Sequence, residues 1–108
     1  MAKSEHHNVY VIELDRGVLE DRKFREKNPD YVPGKPCVYV GLTGHSPEQR
    51  FAKHQAGFKS SKYVKKYGIR LKPRLYEKYN PMSYKEVVKK EQWLAQHLRK
   101  KGYGVWQK

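Results

Sequence analysis

No apolar run in this chain is longer than a β-strand, so any core must be assembled from short pieces that lie far apart in sequence. The two most apolar pieces are Asn8-Val-Tyr-Val-Ile-Glu-Leu14 and Cys37-Val-Tyr-Val-Gly-Leu42. Both are β-branched and aromatic, and turn chemistry follows each, Asp15-Arg16-Gly17 and Thr43-Gly44-His45. They are expected as strands, the second of them central because it carries no charge. The polar excursion at about 16–35 between them reads as a surface insertion or loop, with a helical turn or two over Leu19 to Lys27. A membrane span needs about 20 apolar residues, so none is expected. Met1 to Asn8 is basic and lacks the apolar stretch of a signal peptide. Cys37 is the single cysteine, which excludes an internal disulfide and a Cys-based zinc site. A cytoplasmic location is the expectation.

Beyond residue 44 the signals are helical. Ser46-Pro47-Glu48-Gln49 combines an N-cap, a proline at the first helical position and a Gln three residues after the cap, predicting a helix to about Ala56. Ser60 or Ser61 is placed to cap a short helix that Gly68 stops. Leu71 to Tyr79 reads as a third strand, confined by Pro73 to an edge or a strand start. Ser83-Tyr-Lys-Glu86 is a capping box that opens the longest helix, to about Lys101, and Gly102 follows it. Tyr103 to Trp106 forms an aromatic tail able to return to the core. With 37% hydrophobic residues in 108, one core and one domain spanning 1–108 are expected. The fold class is α+β: a small three-stranded antiparallel sheet flanked by helices.

The net charge of +13 is not evenly spread. Residues 1–34 hold 6 basic and 7 acidic side chains, whereas residues 35–108 hold 18 and 4, so the two parts carry −1 and +14. No acid lies between Glu48 and Glu77, and Arg50, Lys53, Lys59, Lys62, Lys65, Lys66, Arg70, Lys72 and Arg74 fall in that gap. A solvated, merely solubilising surface would interleave acids. An acid-free stretch of cations matches a polyanion, whose phosphates release counterions when they are neutralised. DNA is the expected partner, with RNA an alternative.

Some residues do not behave as structure. The last helix carries Tyr84, Val87, Val88, Leu94, Ala95 and Leu98 at core-facing spacing, and Glu91 lies inside that stripe. An inward carboxylate is unfavourable unless a cation or a metal pairs with it; otherwise it must snorkel from the stripe edge to water. Arg50 and His54, at i and i+4, share one helix face. They repel rather than pair, which makes sense around an anion, although two exposed polar residues on an ordinary helix show the same spacing. Tyr10 and Tyr39 sit mid-strand, and Gly41 removes a side chain where a ligand or another group approaches closely. Trp93 lies off the stripe and is read as covering a flank or an interface; His6 and His7 are read as inert.

In chain order, Asn8-Val9-Tyr10, then Tyr39-Val40-Gly41 with Thr43, then Arg50-x-x-x-His54, then Glu91 on a later helix, resemble the signature of the GIY-YIG nuclease family. The resemblance spans residues 8 to about 105. It implies a compact sandwich of a three-stranded antiparallel sheet and helices, and hydrolysis of DNA strands, double-stranded, branched or damaged, with one divalent metal. By the same resemblance Glu91 is the metal ligand, with Mg²⁺ (or Mn²⁺) as the ion. Tyr10 and Tyr39 are the active-site tyrosines, with Tyr10 favoured to take the proton of the attacking water. A tyrosine needs a lowered pKa for that task. Arg50 is assigned to the charge developing on the phosphate and His54 to orienting or relaying protons. Gly41, Thr43, Lys53, Lys59, Lys62, Lys65, Lys66, Arg70 and Lys72 are the expected nucleic-acid contacts. The chain departs from the family pattern at Asn8, which stands where the signature has Gly, and in the longer segment between the tyrosines. The Asn usual after the Glu helix has no match, Gln107 being the only nearby amide. A basic DNA- or RNA-binding module without catalysis is the alternative, and a ribosome-associated protein a weaker one that leaves Glu91, Arg50 and His54 unexplained.

Overall fold

A computed structural model describes residues 5–107. The leading segment, read above as lacking a signal peptide, lies partly outside the described residues. Two hydrophobic runs pair as expected: β1 (Asn8–Leu14) lies antiparallel to β2 (Cys37–Thr43), with Tyr10 opposite Gly41 and Ile12 opposite Tyr39. The fold is a compact α+β arrangement, but its sheet is four-stranded and mixed, in the order β3-β1-β2-β4. The expectation of three antiparallel strands is corrected at the C-terminal tail. β4 (Gly104–Gln107) lies parallel to β2, with Trp106 opposite Tyr39. α4 (Tyr84–Lys100) ends at Lys101 and Gly102, the latter at φ +93, and the chain reverses into that fourth strand.

The expected third strand is also corrected. β3 is only Gly68–Leu71, and Leu71 to Tyr79 is mostly irregular, with 3₁₀ turns at Pro73–Leu75 and Glu77–Tyr79. Pro73 has no N–H to give a ladder, and a strand continued through it would leave β1 short of a donor. Other groups complete that edge. Lys72 N–H donates to Val11 O at 2.9 Å, and His7 and Met82 exchange backbone bonds at 2.9 and 2.8 Å. The Asn80 side chain accepts from Val9 N–H at 2.9 Å and donates to Val9 O at 2.8 Å. Asn28 does the same for the opposite edge. Its Oδ1 accepts from Val105 N–H at 2.8 Å and its Nδ2 donates to Val105 O at 3.1 Å. Two side-chain amides thus occupy the places of strand residues, Asn80 beside the start of β1 and Asn28 along the outer strand β4.

Residues opposite each other across a ladder share a face, so Tyr10, Tyr39, Gly41 and Trp106 belong to one face. Helix α2 (Pro47–Gln55) sends His54 onto it, and Phe24 of α1 (Arg22–Lys27) and Tyr63 of α3 (Lys62–Tyr67) pack on Trp106. Val9, Val11, Val38, Val40 and Val105 alternate with them and are wholly buried on the other face. The long helix α4, which touches β1, β2 and β4, covers that second face with Val87, Leu94, Ala95 and Leu98. Val87, Leu94 and Leu98 each contribute about 1.5–3 kcal/mol. Tyr84, read as part of the stripe, is instead exposed at the first turn of α4, where its ring meets that of His7 edge to face at 5.3 Å.

Segment 16–35 is more than a surface insertion. It forms a 3₁₀ turn (Arg16–Glu20) and α1, and it seats Val18 and Phe24 in the core with no exposure. The caps read from the sequence are present: Ser46 and Ser83 form full capping boxes with Gln49 and Glu86, and Ser61 rather than Ser60 caps α3. Among the described residues no helix is long and apolar enough to cross a membrane.

Candidate functional site

The face that carries the tyrosines opens into a cleft of ≈ 490 Å³ walled by Tyr10, Tyr39, Arg50, Lys59, Ser61 and Trp106. Tyr10 is 1 % exposed, and its hydroxyl lies 2.9 Å from His54 Nε2. Tyr39 packs its ring against both, with ring centroids 6.2 Å from Tyr10 and 5.6 Å from His54. Gly41 explains how Tyr10 fits. A Cβ at position 41 would stand 2.6 Å from the Tyr10 hydroxyl and 2.7 Å from Cζ. The absent side chain therefore makes room for Tyr10, and Gly41 itself is buried.

Arg50 and His54 share the face of α2 that their spacing predicts, and they do different jobs. His54 is 1 % exposed beneath the tyrosines. Arg50 stays at the cleft wall, where it donates to Lys59 O at 2.8 Å and to Phe58 O at 3.3 Å. Those bonds tie the guanidinium to the turn between α2 and α3, in which Lys59 adopts φ 47. Burial is the main influence on the phenols. It pushes Tyr10 well above the usual tyrosine range, reinforced by Tyr39 and opposed by the Arg50 charge. Tyr39 is pushed up to about 12 by burial, with Arg50 opposing and Glu91 adding to the rise. The lowered tyrosine pKa that direct proton uptake requires is therefore not what this environment produces.

Glu91 is 6 % exposed on α4, turned inward as its place in the apolar stripe requires, and its charge is felt at Tyr39. Tyr10, Tyr39 and His54 come together from β1, β2 and α2 with Arg50 at the cleft wall, while Glu91 stands on α4, the helix that covers the other face of the sheet. Among the described residues no three His, Cys, Asp or Glu side chains gather as a metal cage. The donor chemistry at Glu91, a single inward carboxylate, does not match a closed nitrogen or sulfur site. It fits a hard cation that keeps waters and takes phosphate oxygens.

The expected nucleic-acid contacts divide. Lys59 lines the cleft, and Lys53 and Lys59 place their ammonium groups 5.5 and 5.8 Å from the ring centre of Phe58. Lys62 and Lys66 lie over Tyr63 and Tyr67 on α3, and exposed Lys65 shares that helix. Arg70 is committed to Glu13 across the β1–β3 pair at 3.0 Å. Lys72 is half-buried at the strand edge, and Thr43 is buried with its hydroxyl accepting from His45 N–H at 3.0 Å. The residue the sequence reading passed over is Phe58. It is 55 % exposed beside the cleft, held by Arg50 through its carbonyl. An aromatic directly after Gly57 within an acid-free run of lysines was the available signal. Comparison with protein-family models, curated proteins and solved structures gives no match to the chain.

Proposed function

We propose that this protein is a metal-dependent endonuclease that hydrolyses phosphodiester bonds in DNA, built as a GIY-YIG-like sandwich with an added parallel strand. The observation that carries the reading is the buried Tyr10–His54 hydrogen bond of 2.9 Å at the foot of a cleft bearing Arg50. Inward-turned Glu91, whose charge is felt at Tyr39, supports it. Such a set has a chemical use beyond binding. A phenol that resists ionisation is a poor base by itself, but it can pass a proton on. As water attacks phosphorus, the Tyr10 oxygen takes the water proton while its own proton moves to His54 Nε2, so no phenolate accumulates. Imidazole is the side chain suited to hold that proton near neutral pH. Arg50, already oriented by two carbonyls, stabilises the charge that develops on the phosphate oxygens. Glu91 would hold Mg²⁺ or Mn²⁺, which supplies Lewis-acid polarisation of the phosphate. Lys53, Lys59 and the α3 lysines grip the flanking backbone, and lone Cys37 suits a reducing cytoplasm.

A second reading, a DNA- or RNA-binding module without turnover, is favoured by the raised pKa values of Tyr10 and Tyr39. Plasmid nicking with Mg²⁺ or Mn²⁺ separates the two. The expected result is cleavage by the wild type, none by Glu91→Ala, and strong loss in Tyr10→Phe and Arg50→Ala. Cleavage that survives in repurified Glu91→Ala protein sinks the assignment, and salt-sensitive binding without turnover supports the second reading.

A further inference from the structure

A second recess, of ≈ 560 Å³, lies away from the cleft, beside α4 and the Glu77–Tyr79 turn. Trp93 forms one wall. It stands two residues after Glu91, about 200° around the helix, and so points away from the sheet. It is 44 % exposed. Tyr79 meets it edge to face at 5.8 Å, making a two-ring corner, and His97 stacks behind the indole at 4.7 Å and 11°. The Lys90 ammonium occupies the corner, 4.5 Å from the Tyr79 ring centre and 4.7 Å from that of Trp93. Lys78 and Lys89 complete a basic rim. The one acid among its described lining residues, Glu86, is committed to the Ser83 cap, accepting from its N–H and hydroxyl at 3.1 Å each.

We propose that this corner is a stacking subsite for a base of single-stranded nucleic acid, with Trp93 as the platform and Lys78, Lys89 and Lys90 as the phosphate contacts. Three observations favour this ligand over a merely solvated helix face. The indole plane is held by His97 and Tyr79, so little ordering is needed on binding. Three lysines surround the rings, and the single carboxylate is already engaged. The group now filling the corner is also replaceable. An exposed cation–π contact is weak, and stacking a base on an aromatic ring is the stronger interaction. A base therefore displaces Lys90, whose ammonium gains a phosphate instead.

The inference rests on the nucleic-acid part of the reading above and not on hydrolysis. It is tested by fluorescence anisotropy on Glu91→Gln protein in EDTA, with a labelled short oligothymidylate and an abasic strand of equal length and charge. Trp93→Ala should weaken oligothymidylate binding about tenfold and leave the abasic strand unchanged, while Trp93→Phe restores most of the affinity. Lys90→Ala should reduce the salt slope on oligothymidylate by about 0.7. Equal affinities of wild type and Trp93→Ala for oligothymidylate overturn the proposal, as does an equal loss on both strands. Because cleavage plays no part in the readout, an inactive wild type defeats the endonuclease reading and leaves this one standing. The Arg50→Ala variant, altering only the cleft, should retain the difference between the two strands.

Discussion

Adding one methyl group at Gly41 should disable the candidate site from within the sheet. The Cβ of Gly41→Ala would lie 2.6 Å from the Tyr10 hydroxyl, 2.7 Å from Cζ and 3.1 Å from Cε1. Tyr10 has little freedom to yield, being 1 % exposed, in contact with Tyr39, and hydrogen-bonded to His54 at 2.9 Å. Overpacking of this kind is worth about 1–3 kcal/mol, and loss of the Tyr10–His54 bond adds about 1 kcal/mol. Against these stands a gain of about 0.5–1 kcal/mol from stiffening the unfolded chain. The net is about 2 kcal/mol of destabilisation, or a Tm lower by roughly 10 °C for a domain of this size. Urea unfolding of Gly41→Ala, Tyr10→Leu and the double variant measures it. In the Tyr10→Leu background the same methyl should carry little penalty, since the ring it strikes is gone. An equal penalty in both backgrounds, or none in the wild type, refutes the steric argument. In the nicking assay Gly41→Ala should lose turnover to the extent that Tyr10→Phe does, whereas a glycine serving only as a DNA contact would show weakened affinity with turnover intact.

Asn28→Ala should cost about 1–3 kcal/mol, because it strips the buried N–H of Val105 of its acceptor, while Val105 O keeps the bond from Arg99 at 2.9 Å; a urea midpoint within error of the wild type would show that the β4 edge does not depend on it. Phe58→Ala should leave stability within about 0.5 kcal/mol, as expected of a surface change, while lowering DNA affinity several-fold in anisotropy titrations; unchanged affinity removes Phe58 from the interface. Tyr10 and Tyr39 are raised above their unfolded value of 10.0 by burial. Their contribution is therefore complete below pH 10 and is lost as pH rises toward their folded values, by about 1.4 kcal/mol per pH unit for each. Circular dichroism against pH should show unfolding setting in above pH 10, with the onset later in Tyr39→Phe; a flat profile to pH 12 contradicts the burial of these phenols.

The parts of this protein legible in its sequence are those decided within a few residues. Ser46 with Gln49 and Ser83 with Glu86 close their capping boxes over three positions, and alternation in Asn8–Leu14 and Cys37–Thr43 needs no distant information. Glu91 was readable as inward because helical periodicity alone sets its direction. The sheet itself was less legible. Whether Tyr103 to Trp106 returns as a parallel strand depends on an edge of β2 left open by the distant β1, and Leu71 to Tyr79 lost its strand because Asn80 and Met82 could serve the β1 edge instead. Phe24, written within a polar excursion, entered the core because Gly104 and Trp106 left it a place.

The same division runs through the site. Sequence by itself singled out the candidate residues, Arg50 and His54 on one helix face, two strand tyrosines and an inward acid, since residue type and period are local properties. Only the tertiary structure decided that Tyr10 bonds His54, that Gly41 exists to admit the Tyr10 ring, and that Arg70 is spent on Glu13. It also decided that the phenols are raised rather than lowered, since desolvation is a property of what surrounds a group in space and not of its neighbours along the chain.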